Sequence, residues 1–532
     1  MSGNRAIYHS YIHAGGIMLL AASLPLSPFL VTISQIILMV NWLAEGDLKN
    51  KLHRVWERKA LFAFLLIFLV HLIWLIPTQD FSYALKDLKI KLPILILPLV
   101  LGTGKAFKEN EIKMVLLIFI AAVLASSFFS IYRLSMITSI PAADLRDISV
   151  FISHIRLSLL VNMAIFSLLY ILVTSSFQWN RPVRNSLWAS LAWLILFLFI
   201  LQSITGIAIF ILTGILFLLR FSNRLDKQYW YIRYSLMYGL ITLIFIISAY
   251  AIYVMFSFSG RPISEDRMQT LTPSGNQYEH FPGKKQMENG NYVWINIFEP
   301  ELKEGWNRRS SLEYSGHDLK GNELRYTLIR YLTSRGFEKD SAGISRLTET
   351  DIINIERGMA NHIYQNNKWL YPRIYQLVWE IDNYRKGGNP SGHSLAQRFE
   401  YWKTGFGIIR NNILFGVGTG DVAIAYERQY TENETMLAPE WQLRAHNQFI
   451  TFLVSFGITG FLIVMFGMTA PFLIEKKHTQ ILPFIFACVA VMSMLTEDTI
   501  ETQAGATFFA FFYALFIFAV KKYEPDDNDI PD

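Results

Sequence analysis

The chain has 532 residues, 52% of them hydrophobic, and a mean hydropathy of +0.30, a composition that excludes an ordinary soluble domain. A formal charge of +6 and a pI near 9.0 would suit nucleic acid, but the basic residues gather beside apolar runs, as they do at membrane-span ends, so membrane lipids are the expected partner and no nucleic acid is. The single cysteine, Cys488, lies in an apolar run and excludes an intrachain disulfide framework or a cysteine-rich metal site.

Runs near the ~20 residues that span a bilayer recur along the chain. They predict twelve transmembrane helices at about 11–25, 27–43, 60–77, 89–103, 113–134, 152–174, 185–201, 205–220, 234–257, 447–473, 480–495 and 503–520. "SLPLSP" breaks the first two, since each Pro removes a helix donor. The first run leads straight into the second and reads as a retained hairpin rather than a cleaved signal. The loops "GDLKNKLHRVWERK", "GKAFKENEIK", "NRPVRN", "RFSNRLDKQYWYIR" and "EKKHTQ" and the tail "KKYEPDDNDIPD" are basic. "SMITSIPAADLRD" and "TEDTIETQ" are poor in positive charge, and the alternation predicts cytoplasmic termini. "TQDFSYALKDLKIK" is the exception, with three lysines on the outer side.

The stretch from about 258 to 445 then falls outside, in the periplasm of a Gram-negative cell, and is too long for a linker. "ELRYTLIRYLTSRG" has apolar residues at helical spacing and a Gly stop. "TETDIINIERGMANHIYQ" and "LYPRIYQLVWEIDNYRK" are amphipathic as well. "SLAQRFEYWKTGFGIIRNN" opens with Ser394-x-x-Gln397, a capping-box pattern, and aligns Phe399, Trp402, Phe406 and Ile409 as an apolar stripe. The expected fold is an all-α polytopic membrane protein of about twelve spans. Nine lie in 1–257, a helical periplasmic domain occupies 258–445, three more spans lie in 446–520, and 521–532 is a cytoplasmic tail.

Ionisable residues are scarce at mid-depth, where His71 is the main candidate, whereas a coupled transporter would carry buried carboxylates or lysines there. Charge gathers instead at the outer ends of spans. His154 and Arg156 open the sixth, Arg444 and His446 open the tenth, and Glu497, Asp498 and Glu501 lie between the last two. Arg398 and Arg410 sit on the helix before the tenth span. A site there suits a substrate with its tail in lipid and its polar head outside. Guanidinium groups offer planar forks for phosphate and would stabilise a diphosphate leaving group.

Each residue also has a plainer reading. Arg156 could be an interfacial anchor, Arg398 a solvated residue or the partner of Glu400 or Glu349, and His446 a histidine satisfied at the interface. At about 100° per residue, His446, Gly457 and Gly460 share one helix face, atop a small-residue packing seam. "FGVGTGD", Phe415 to Asp421, lacks the Lys-Ser/Thr of a P-loop and reads as a tight turn back to the membrane. The carboxylates around Glu497 read as solvated rather than cation-binding. No cofactor or metal is expected.

"HNQFITFLVSFGITG" fits the His-[Asn/Ser/Gln]-x9-Gly-x-x-Gly pattern of the O-antigen ligase and polymerase superfamily, through His446, Asn447, Gly457 and Gly460. "QRFEYWKTGFGIIRNNILFGVGTGD" resembles the family's Arg-x-x-x-Trp helix and its Phe/Leu-Gly-Val-Gly turn, with Arg398, Trp402, Gly416 and Gly418 matching. "TEDTIETQAGATFFAFF" resembles the acidic turn before the last span. The motifs cover the last third of the chain. One family arginine is missing: in "LQSITGIAIF" its position is held by Ile204, and Arg156 in "SHIRLSLL" is the candidate substitute.

The resemblance implies an inverting, metal-independent glycosyltransferase at the periplasmic face of the bacterial inner membrane. The donor would be an undecaprenyl-diphosphate-linked glycan, and the acceptor a sugar hydroxyl of lipid A–core. His446 would take the hydroxyl proton or orient the acceptor, and Arg398 and Arg156 would hold the diphosphate. Asn447 would fix the imidazole tautomer or bind sugar, with Arg444, Arg410, Trp402 and Glu497 as further substrate contacts. A polymerase with a lipid-linked glycan acceptor differs only in that acceptor and stays open. A polysaccharide or lipid-linked-sugar transporter is the rival of another class, opposed by the scarcity of mid-membrane charge.

Overall fold

Apolar runs of this length satisfy their backbone groups within themselves only as helices, and helix is what they form. The computed structural model describes residues 2–137, 148–174, 179–222, 230–258, 268–365 and 370–520. The 521–532 tail, most of "SMITSIPAADLRD" and the start of the 258–445 stretch lie outside the described residues.

In chain order the first helices are α1 (Ser2–Ser23), α2 (Pro28–Ala44), α3 (Leu48–Glu57), α4 (Lys59–Ile73) and α5 (Phe81–Thr103). Next come α6 (Glu109–Ile137), α7 (His154–Thr174), α8 (Arg181–Ile200), α9 (Ile204–Ser222) and α10 (Trp230–Phe258). The 258–445 stretch holds a small hairpin, β1 (Met287–Glu288) with β2 (Asn291–Tyr292), then α11 (Glu299–Asn307), α12 (Leu324–Arg335), α13 (Ser341–Ser345) and α14 (Glu349–Glu356). It continues with α15 (Leu370–Arg385), α16 (Ser394–Asn411) and α17 (Val422–Glu432). The chain closes with α18 (Gln448–Ile474), α19 (Ile481–Thr496) and α20 (Gln503–Tyr513), the last continued by a π turn over Ala514–Phe518.

Every predicted span lies on one of these helices, and α3 is an addition. By length and composition, however, four helices among the described residues can cross a membrane: Glu109–Met136, His154–Val173, Arg181–Ile200 and Gln448–Ile474. A fifth arises if α2 and α3, bent by 107°, count as one. Several of the other apolar helices are short, such as Lys59–Ile73 and Ile481–Thr496, and α5 carries Lys86, Asp87, Lys89 and Lys91. The architecture is all-α and membrane-like.

One core unites the early helices with α18–α20 and includes Phe64, Phe119, Phe486 and Phe512. A second, around Trp306, Leu328 and Tyr331, belongs to the 258–445 stretch. A third joins α16 and α17 to α18 through Tyr401, Tyr426, Tyr430 and Val454.

Three sequence expectations are corrected here. The shared face of His446, Gly457 and Gly460 does not exist. Asn447 caps α18 from outside the helix, accepting from Phe449 N and Ile450 N, so His446 precedes it. Gly457, at φ +60° and ψ −168°, then breaks the helix. The break admits another backbone. Val417 N and Gly418 N donate to Val454 O and Ser455 O, both at 2.9 Å, and Ile458 N donates to Ile413 O at 2.8 Å. The "FGVGTGD" turn therefore supplies the partners that the broken helix loses, and α4 is tied in through Trp74 Nε1, which donates to Phe415 O at 2.6 Å.

The Ser394 capping box is absent as well. His393 holds the cap position, and Glu380 of α15 accepts from Leu395 N at 3.0 Å. Finally, the stripe on α16 is not its buried face. Gln397, Tyr401, Thr404, Gly405 and Ile408 face inward, while Phe399 and Phe406 stay exposed. Small residues turn inward because Gly405 has Tyr426 and Ile450 against it.

The junction at Gly457 makes a prediction. A Cβ there would lie 2.5 Å from the backbone of Leu414 and Phe415, at a positive φ, so Gly457→Val should cost about 2–3 kcal/mol. Thermal melting in detergent checks this, with Gly214→Ala, whose Cβ meets only Phe166 at 3.9 Å, expected to melt like wild type. Equal midpoints for the two variants would contradict the junction.

Candidate active site

The site is built on the turn between α19 and α20, where three carboxylates bind three different parts of the chain. Glu497 Oε2 accepts from His446 Nδ1 at 3.2 Å, and its Oε1 accepts from Arg398 at 2.9 Å. Asp498 accepts from the successive backbone N–H groups of His446 and Asn447, both at 3.1 Å, and from Thr451 Oγ1 at 2.7 Å. Glu501 Oε2 accepts from Lys91 Nζ and Arg444 Nη1, both at 2.9 Å, while Oε1 accepts from Gln448 at 2.9 Å.

Asp498's grip explains the backbone at His446, whose φ is +46°. Non-glycine residues are uncommon in that region. Here the left-handed turn brings two consecutive N–H groups onto one carboxylate, as in an anion-binding nest. The imidazole is then held on two sides, by Glu497 at Nδ1 and by the Tyr401 ring stacked at 5.5 Å. Its side chain remains 34% exposed, so a substrate can reach it.

The electrostatics follow from burial and pairing. Burial pushes the Glu497 carboxyl up, but the His446 hydrogen bond and the Arg398 charge hold it below the usual carboxylate range. Burial likewise acts on Glu501, and Lys91 and Arg444 overcome it and hold the carboxyl well down. Asp498 is the opposite case: burial pushes it up, and the Thr451 bond offsets only part. Burial also raises Tyr401 to about 12, so its phenol stays protonated.

His446, Arg398 and Glu497 meet in one cluster. Arg398 pairs with Glu497 rather than with Glu400 or Glu349; Glu400 accepts from Tyr384 at 2.6 Å and Glu349 pairs with Arg309 at 2.7 Å. Arg156, on α7 packed against α19, lies within the electrostatic reach of Glu497. Asn447 is occupied by its cap, and its Nδ2 donates to Leu495 O at 3.0 Å. Trp402 Nε1 donates to Ala445 O at 3.0 Å and so props the strand-like approach to His446. Arg444 is committed to Glu501 and lies over the Tyr83 ring. Arg410 is not brought in: it stands twelve residues beyond Arg398 on α16, about 18 Å along the axis.

Sequence reasoning missed the deeper layer. Lys91 is 1% exposed and pairs with Asp87 at 2.5 Å as well as with Glu501. A charged cluster therefore lies where α5 meets the turn before α20, and His71 lines the same small cavity. Its signal was the Asp87–Lys91 i,i+4 pair inside the one loop whose lysines broke the charge alternation. Tyr401 was also missed, although three residues after Arg398 it had to share that helix face.

A family model described as O-antigen ligase matches residues 353–465, the segment that holds Arg398 and His446. This supports the resemblance to the O-antigen ligase and polymerase superfamily. Among curated proteins none matches the chain.

Removing one partner of a buried ion pair leaves an uncompensated charge, at roughly 3–5 kcal/mol. Lys91→Met should therefore destabilise the folded protein by that order, and Lys91→Met combined with Asp87→Asn should recover part of the loss. Denaturation in detergent measures both. A double variant no more stable than the single one would contradict the pairing.

Proposed function

We propose that the chain is an O-antigen ligase-like glycosyltransferase. It would move a glycan from undecaprenyl diphosphate to a sugar hydroxyl of lipid A–core at the periplasmic face of the inner membrane. The observation that carries this reading is a single carboxylate, Glu497, with an imidazole on one oxygen and a guanidinium on the other, next to the matched ligase segment.

An ionised carboxylate only accepts, so the Nδ1 proton of His446 points at Glu497 and Nε2 is left to accept. In the reaction, the acceptor hydroxyl oxygen bonds to the anomeric carbon, and its proton passes to Nε2. The carbon–oxygen bond to the diphosphate breaks, and the diphosphate leaves with the electron pair. Attack opposite the leaving group inverts the anomeric centre. Arg398 and Arg156 offset the developing negative charge at a low-dielectric boundary. Arg398 also donates to Ser394 O through Nη1 and to Thr496 O through Nη2, both at 3.4 Å, and a second N–H on Nη1 is left for the diphosphate. These steps use His and Arg alone.

The membrane placement belongs to the same reading. Twelve spans, cytoplasmic termini and a periplasmic 258–445 domain put the site where a lipid-linked donor and a polar acceptor meet. The exposed apolar residues Phe406, Ile413, Leu414 and Phe415 supply an edge for lipid tails to cover. The His-Asn form of the motif favours a ligase over a polymerase.

The test is transfer by purified protein in detergent, with lipid-linked donor and lipid A–core. Wild type should glycosylate the core, and His446→Ala, while still binding donor, should lose about 10²–10⁴-fold in kcat. Arg398→Lys, which keeps charge but loses the fork, should lose about 10-fold. Elongated donor without a core product would make the protein a polymerase. Full activity in His446→Ala would remove the imidazole from the chemistry.

A further inference from the structure

A second, larger site lies away from His446. A cleft of about 1530 Å³ runs along α12, α15 and the 387–393 loop and reaches Gln202 at the α8–α9 turn. That exceeds the ~300–1,000 Å³ of ordinary small-molecule sites and suits a chain-like ligand.

Its lining carries six Lys and Arg side chains against two carboxylates, Glu323 and Glu440. Arg330 and Lys386 are paired with Glu288 and Asp382, both at 2.7 Å. Lys284, Lys285, Lys320 and Arg357 form no ion pair among the described residues. Lys284 sits 4.4 Å from the Trp294 ring centre. Tyr326 meets that ring edge-on at 5.8 Å and remains 41% exposed. Amides line it as well, at Asn322, Gln376 and Asn389, of which Asn322 donates to Asp318 and Gln376 to Glu380. Cations for carboxylate or phosphate, an exposed ring for a sugar face and amides for hydroxyls together recognise an acidic glycan.

The cleft also leads somewhere. Ser391, Gly392 and His393 line it and run directly into α16, on which Arg398 stands roughly 7–8 Å further along the axis. Lys284, Lys285, Lys320 and Tyr326 lie outside the matched 353–465 segment, so the family match assigns this wall nothing.

We infer that this cleft binds an acidic glycan and guides it toward the His446 site. The guiding role rests on the transferase reading above; the binding does not. Calorimetry on the full-length protein in detergent tests it with oligogalacturonate, neutral maltoheptaose and polyglutamate as probes. Oligogalacturonate should bind, and the triple variant Lys284→Ala, Lys285→Ala, Arg357→Ala should weaken it about 10-fold or more, less so at high salt. Tyr326→Ala should weaken it about 5-fold, and the single Lys285→Glu reads the same charge loss if the triple variant does not fold. No binding, binding unchanged in all of these variants, or maltoheptaose or polyglutamate bound as tightly would overturn the inference. Binding without glycan transfer would sink the transferase reading and leave the cleft; transfer without oligogalacturonate binding would do the reverse.

Discussion

Five residues, Glu497 to Glu501, constrain the surroundings of His446 more than any helix does. Carboxylates this buried cost free energy unless each is met by charge or hydrogen bonds. Here all three are met by the 444–451 segment, and Glu497 and Glu501 also by Arg398 and Lys91. Glu497 gathers His446 and Arg398 from either side, Asp498 folds the backbone ahead of α18, and Glu501 anchors α5 through Lys91 and α18 through Gln448. The turn is a knot in which function and stability share atoms.

The second constraint is the broken span. A helix interrupted inside an apolar environment must recover its hydrogen bonds from protein, and α18 recovers them from the chain that follows α16. Both ends of α16 are thereby fixed, its start by Glu380 and its end by the Gly416–Gly457 contact. Arg398 takes its position from those two anchors together with its ion pair to Glu497. The glycines of the motif serve this close approach: a Cβ at Gly416 would meet the backbone at Phe456 and Gly457 at 2.5 Å.

What the sequence disclosed and what it hid divide along a physical line. Local signals were legible. The apolar runs became helices, and "ELRYTLIRYLTSRG" formed α12 with Gly336 at φ +72° as its stop. Long-range partners were not. Ser394 had the pattern of a cap but lost the role to Glu380, fourteen residues away in the chain and on another helix. The Phe399–Phe406 stripe obeyed helical spacing, yet the face that packs is the smaller one, because α17 and α18 press against Gly405. The acidic turn looked solvated because no local pattern reveals that Lys91, over four hundred residues upstream, arrives to pair with Glu501. The superfamily motif located His446 and Arg398, and nothing local announced that Glu497 would bridge them.

The most direct test of that bridge is a double-mutant cycle on glycan-transfer kcat, using His446→Ala, Glu497→Gln and the pair together. If Glu497 acts by holding the imidazole, the double variant should be scarcely worse than His446→Ala alone, since residues working as a unit are strongly non-additive. Losses that simply multiply would contradict the account and leave Glu497 and His446 as independent contributors.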